Sequence, residues 1–184
     1  MSVKLDFSTL DLMDALDLAI LIEAEARERY DIFAEQIGRR YTVDAGSIFE
    51  TMAQNEAKHG RQLGERRKKL FGDKPMRVSK SAIFDVEAPE FGAPSWNMSP
   101  LKAFQLALAS EEKAYWFYDE AIKYVKDPAV RELFTELRDE ETEHVSMVKD
   151  AIKALPPGSD ADLEDEDAGD ASALSLPPGR TARP

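Results

Sequence analysis

GDKPMRVSKSAIFDVEAPEFGAPSWNM, residues 72 to 98, has no helical period, yet it separates two stretches that do. Its length decides how they can be arranged. Upstream, Ser8 followed by Asp11 resembles a capping box, and apolar or small residues then recur at helical spacing: Leu12, Leu16, Ile20, Ala26, Tyr30, Phe33 and Ile37, up to Gly38. Asp44 is placed to cap a second helix. Its stripe is Ile48, Phe49, Met52, Leu63 and Leu70, and the basic run 66 to 69 reads as a solvated helix end before Gly72. Downstream, Ser99–Pro100 starts a third helix through Phe104, Ala107, Leu108, Ala114, Tyr118 and Ile122. Asp127–Pro128 starts a fourth through Val130, Phe134, Leu137, Val145, Val148 and Ile152, which Pro156 and Pro157 stop after Leu155. The gaps between helices 1 and 2 and between 3 and 4 are short, so each pair is an antiparallel hairpin. About 27 residues of connection can run the roughly 40 Å length of such a helix and start helix 3 parallel to helix 2. The expected fold is all-α: a four-helix bundle with one long crossover between helices 2 and 3.

The apolar stripes contain charged members. Glu23 lies on the helix 1 face of Leu16, Ile20, Ala26 and Tyr30, and Glu111 on the helix 3 face of Phe104, Ala107, Ala114 and Tyr118. Helix 2 carries Glu56 and His59 among Phe49, Met52 and Leu63; helix 4 carries Glu141 and His144 among Phe134, Leu137 and Val148. Residues three apart on a helix are neighbours, so each Glu-x-x-His offers a carboxylate and an imidazole to one point in the core. The chain has only two histidines, and these are they. Its halves repeat: Glu23, Ala26 and Tyr30 match Glu111, Ala114 and Tyr118 in spacing. Glu25, Glu28, Glu112, Glu140 and Glu143 fall off the stripe by about 100° per residue and read as solvated or as neighbours supporting the ligands. Glu140 lies four residues before His144, so a shift of register would exchange it with Glu141, and which of the two faces the cluster stays open. Tyr30 and Tyr118, two turns from Glu23 and Glu111, serve either as hydrogen-bond partners or electron relays to the cluster, or as core tyrosines.

Four ionised carboxylates in an apolar core repel one another and cost several kcal/mol each unless protonated or paired. No Lys or Arg repeats with them. Two divalent cations would balance the four charges with both histidines neutral. Oxygen-rich ligation with one imidazole per ion and no thiolate suits iron, with manganese the other candidate, better than structural zinc. One Glu from each of two helices and Glu-x-x-His from the other two, in a bundle with a single crossover, is the pattern of ferritin-like di-iron and di-manganese carboxylate proteins.

Composition narrows the remaining classes. There is no cysteine, which removes disulfides, thiolate metal sites and thiol catalysis, and suits a reducing compartment. No segment has eighteen uncharged apolar residues, and aspartates interrupt the amino-terminal apolar run, so a cytoplasmic protein with no membrane partner is expected. A net charge of −12 argues against nucleic acid as a partner. Residues 1–155 are expected to form the bundle. Residues 156–184, with seven acids and two arginines among Pro, Gly, Ser and Ala, are expected to be a disordered acidic tail that solubilises the chain or docks another protein.

IEAEARERY (22 to 30), IFETMAQNEAKHGRQL (48 to 63), LALASEEKAYWFY (106 to 118) and LRDEETEHVSMV (137 to 148) resemble the rubrerythrin branch of the ferritin-like superfamily over residues 8 to 155. The resemblance implies a di-iron centre with Glu23 and Glu111 as terminal ligands, Glu56 and Glu141 as bridges, and His59 and His144 as one imidazole per iron. It also implies a homodimer. Rubrerythrins carry a cysteine-ligated rubredoxin domain that feeds electrons to the irons; without cysteine, this chain would need an external donor. They also carry an extra glutamate one turn after the third-helix ligand, where this chain has Ala114, which implies a more symmetric site, closer to bacterioferritin-type ferroxidases. The expected function is peroxide- or dioxygen-linked iron chemistry in oxidative-stress defence or iron homeostasis. Iron oxidation and delivery without peroxidase turnover, a di-iron oxygenase, and a metal-free helical interaction protein are the alternatives.

Overall fold

The computed structural model describes residues 5–38, 45–80 and 98–160. Four helices make up almost all of them: α1 (Leu12–Gly38), α2 (Ala45–Phe71), α3 (Pro100–Tyr124) and α4 (Pro128–Ala154), after a single 3-10 turn at Phe7–Thr9. Among the described residues there is no strand, and no helix is long and apolar enough to cross a membrane. The Asp44 cap and the middle of the crossover lie outside the described residues, as does the tail beyond 160.

Local chemistry sets the helix ends. Ser99 accepts the Lys102 N–H and Asp127 accepts the Ala129 N–H, each followed by Pro at the first helical position, where its missing N–H costs nothing. At the start of α1 the cap is Asp11 rather than Ser8. Asp11 Oδ1 accepts the Met13 and Asp14 N–H groups at 2.9 and 3.0 Å, while Ser8 sits inside the preceding 3-10 turn, itself capped by Asp6. Gly72 takes φ +66° after α2, a left-handed conformation open to glycine, and its N–H bonds the Lys68 carbonyl at 2.9 Å. After α4, residues 156–160 turn back so that the Ser159 carbonyl accepts the Leu101 N–H at 3.0 Å.

α1 packs along α2 and α3 along α4, and the two hairpins close on one another around two apolar clusters. One gathers Leu16, Leu18, Ile22, Leu63, Leu133 and Phe134. The other gathers Phe33, Phe49, Met52, Phe104, Ala107 and Val148, with Phe49 and Phe104 stacked at 4.6 Å between ring centres. On every helix the two clusters are separated by the same one or two turns, those carrying Glu23, Glu56 and His59, Glu111, and Glu141 and His144. The polar layer therefore lies between two closely packed apolar ones.

The end of α2 departs from the sequence expectation. Leu70, assigned to the stripe, is exposed, and Arg67, assigned to a solvated basic end, is buried against the fully buried Asp17 of α1. Asp17 also accepts the Arg77 N–H at 2.9 Å, and an Arg67 nitrogen donates to the Lys74 carbonyl at 2.9 Å. One buried carboxylate thus ties the first residues of the crossover to α1. A charge pair separated by 50 positions leaves no mark in a helical period.

Candidate metal centre

The six residues expected from spacing converge. Glu23, Glu56, Glu111, Glu141 and His144 are each no more than 5% exposed, and the His59 side chain 15%. His144 Nδ1 lies 3.2 Å from Glu111 Oε2, 3.3 Å from Glu56 Oε1 and 3.6 Å from Glu141 Oε2. His59 Nδ1 lies 3.9 Å from both Glu23 Oε2 and Glu56 Oε2. The imidazoles stack with their ring centres 5.4 Å apart and their planes 8° from parallel. Glu56 therefore faces both histidines from the middle of the layer. Donor atoms of Glu56, His59 and His144 lie within 4.8 Å of one another, as do those of Glu111, Glu141 and His144.

The electrostatics of the layer fit cations. His59 Nδ1 is enclosed but makes no hydrogen bond among the described residues, and Glu56 Oε1 has only the His144 ring nitrogen at 3.3 Å, an arrangement that leaves room for a cation between them. Burial alone would push the His144 imidazole down, but hydrogen bonds to Glu111 and Glu141 and the charges of Glu56 and Glu111 outweigh it and raise its pKa to about 11. In the metal-free protein His144 is thus an imidazolium, an internal counter-charge to the carboxylates around it. The donor set is oxygen-rich, has two imidazoles and no thiolate, and matches iron or manganese.

Glu140 is the residue that sequence reasoning placed incompletely. Its side chain is 43% exposed, yet Oε2 comes 4.0 Å from His59 Nδ1. Burial raises its pKa, while the histidine charges pull it down. Glu141 turns toward His144 and Glu140 toward His59, so the two are not alternatives in one register. The signal was present: the run 139–141 is all acid, and a glutamate side chain long enough to reach around the helix reads both sides of the seam.

Of the two tyrosines, Tyr30 stacks on Phe49 and Tyr118 packs against Phe117 and Phe134. The Tyr30 hydroxyl is buried without a hydrogen-bond partner among the described residues. Tyr30→Phe should accordingly stabilise the metal-free chain by about 1 kcal/mol in chemical denaturation, the saving from an unsatisfied buried hydroxyl.

The centre also opens outward. A groove of about 630 Å³ between α1 and α2 is lined by Glu23 and Glu56, by small Ala24, Ala57 and Gly60, and by charges of both signs, among them Glu28, Arg61 and the Arg27–Asp31 ion pair at 3.6 Å.

The rubrerythrin family model matches residues 14–152, with an overlapping match over 102–172. The fold is also that of an uncharacterized conserved protein from Magnetospirillum magnetotacticum, whose crystal structure is 29% identical. The similarity covers 80% of this chain and 97% of that one, with a TM-score of 0.66. No curated protein matches. Three quarters of the chain fall within the family match, and the paired Glu-x-x-His helices lie inside it: the chain belongs to the rubrerythrin family.

Proposed function

We propose that this ferritin-like protein holds two iron ions and is an oxidoreductase acting on peroxide or dioxygen. The observation that carries the proposal is the position of Glu56, within 3.3 Å of one imidazole nitrogen and 3.9 Å of the other, as a carboxylate shared by two cations would be. Glu56 and Glu141 would bridge, Glu23 and Glu111 would cap the two ends, and His59 and His144 would each complete one ion. The ions supply redox equivalents and Lewis acidity. The residues around them would hold the ions, and the apolar clusters above and below flank the layer. An external electron donor, rubredoxin-like or another, would supply electrons to the centre.

Ferrous titration under anaerobic conditions, followed by equilibrium dialysis and metal analysis, should saturate near two ions per chain. Saturation at one ion would overturn the proposal. The groove that reaches Glu23 and Glu56 favours a second reading, in which Fe(II) enters along it, is oxidised by dioxygen, and leaves as Fe(III) without peroxide turnover. Sustained oxidation of added Fe(II) without a reductant would select that reading; peroxide consumption that stops unless a reductant is supplied would select the first.

A further inference from the structure

We propose that Glu140 is a fifth carboxylate of the metal centre, serving the cation on the His59 side. The inference rests on the two-metal reading. Around His144 Nδ1 three carboxylates gather, from Glu111, Glu56 and Glu141, at 3.2, 3.3 and 3.6 Å. Around His59 Nδ1 three also gather, from Glu23, Glu56 and Glu140, at 3.9, 3.9 and 4.0 Å. Glu56 is common to both sets. With Glu56 and Glu141 as the shared carboxylates, each ion has one terminal carboxylate, Glu111 or Glu23, and Glu140 adds a second on the His59 side alone.

The surroundings of Glu140 leave it free for that role. It borders a cavity of about 130 Å³ shared with His59, Gln62, Arg66 and Glu136. The arginine there is engaged by Glu136 at 2.8 Å, so the Glu140 charge is not drawn away from the histidine. The cavity gives its side chain room to move toward or away from the cation. Charge sets the consequence. Glu23, Glu56, Glu111, Glu140 and Glu141 carry five negative charges against four positive from two divalent ions, so the reduced centre keeps one negative charge in excess. Loss of one electron makes it neutral. Glu140 therefore favours the oxidised pair and binds its own cation asymmetrically.

Anaerobic calorimetry with Mn(II), on the whole chain, reads binding without redox change. Glu140→Gln should weaken one of the two binding events by about 10–100-fold and leave the other within about twofold. In the iron-loaded protein it should raise the midpoint potential. Glu143→Gln, an exposed change on the same helix, serves as control and should behave as wild type in both. Two Mn(II) ions bound by wild type with unchanged constants and potential in Glu140→Gln would overturn the role of Glu140 alone. Fewer than two ions bound by wild type would overturn the two-metal reading and Glu140's place in it. Circular dichroism of the variant confirms that the bundle is intact.

Discussion

Stripping the metal from the loaded protein should lower its thermal midpoint by about 10–20 °C. Each ion bound at about 100 times its dissociation constant stabilises the fold by about 2.7 kcal/mol, and two by about 5. A chain of this size shifts by about 2–4 °C per kcal/mol. The loss should be smaller than complete removal of counter-charge would suggest, because His144 takes up a proton as the ions leave. Its pKa in the folded metal-free chain, about 11, exceeds the ordinary value of 6.5. That protonation stabilises the metal-free fold fully below about pH 6.5 and is lost as pH rises through about 11. Loading must expel the proton, so the gap between loaded and stripped midpoints should widen with pH, by up to about 1.4 kcal/mol per unit between pH 6.5 and 8. Differential scanning calorimetry of both forms at several pH values checks this. A midpoint unmoved by verified metal removal would instead favour a helical protein whose cluster never meets a cation.

How far the residues announced this arrangement differs from part to part. Ser99–Pro100 and Asp127–Pro128 are local signals with local causes, and the helices start where they say. The charged members of the stripes were legible because a 3.6-residue period fixes which way a short segment faces, and Glu23, Glu56, Glu111, Glu141 and His144 are all buried in consequence. Asp17 and Arg67 were not legible. Each reads alone as an ordinary helical surface charge, and only the approach of α1 to the end of α2 makes them a buried pair. Glu140 stayed open for a different reason. Periodicity locates a Cβ, whereas a metal site is built from carboxylate oxygens three bonds further out, and on a helix lying in the seam between two neighbours adjacent glutamates can reach opposite sides. The cap of α1 shows the same limit at smaller scale: Ser8 and Asp11 both suit the role, and the 3-10 turn that consumes Ser8 decides between them.

Glu56 should be the residue whose removal separates function from stability most sharply. Glu56→Ala is expected to lower affinity for both ions by at least about 100-fold, because its two oxygens face His144 and His59 respectively. Glu111→Ala, on the His144 side, should weaken one ion far more than the other. In the metal-free chain the sign reverses. Glu56 is one of four buried carboxylates in the layer, and its removal relieves like-charge repulsion among them. His144 keeps Glu111 and Glu141, so Glu56→Leu leaves no orphaned cation. The stripped Glu56→Leu protein should therefore melt at or several degrees above stripped wild type, and adding Fe(II) or Mn(II) should leave its midpoint where it is. Parallel melts of wild type and Glu56→Leu, with and without metal, decide the matter in one experiment. A variant that loses stability in the stripped form would mean that Glu56 supports the bundle directly, and that the layer's carboxylates are held in place by one another rather than kept for the ions.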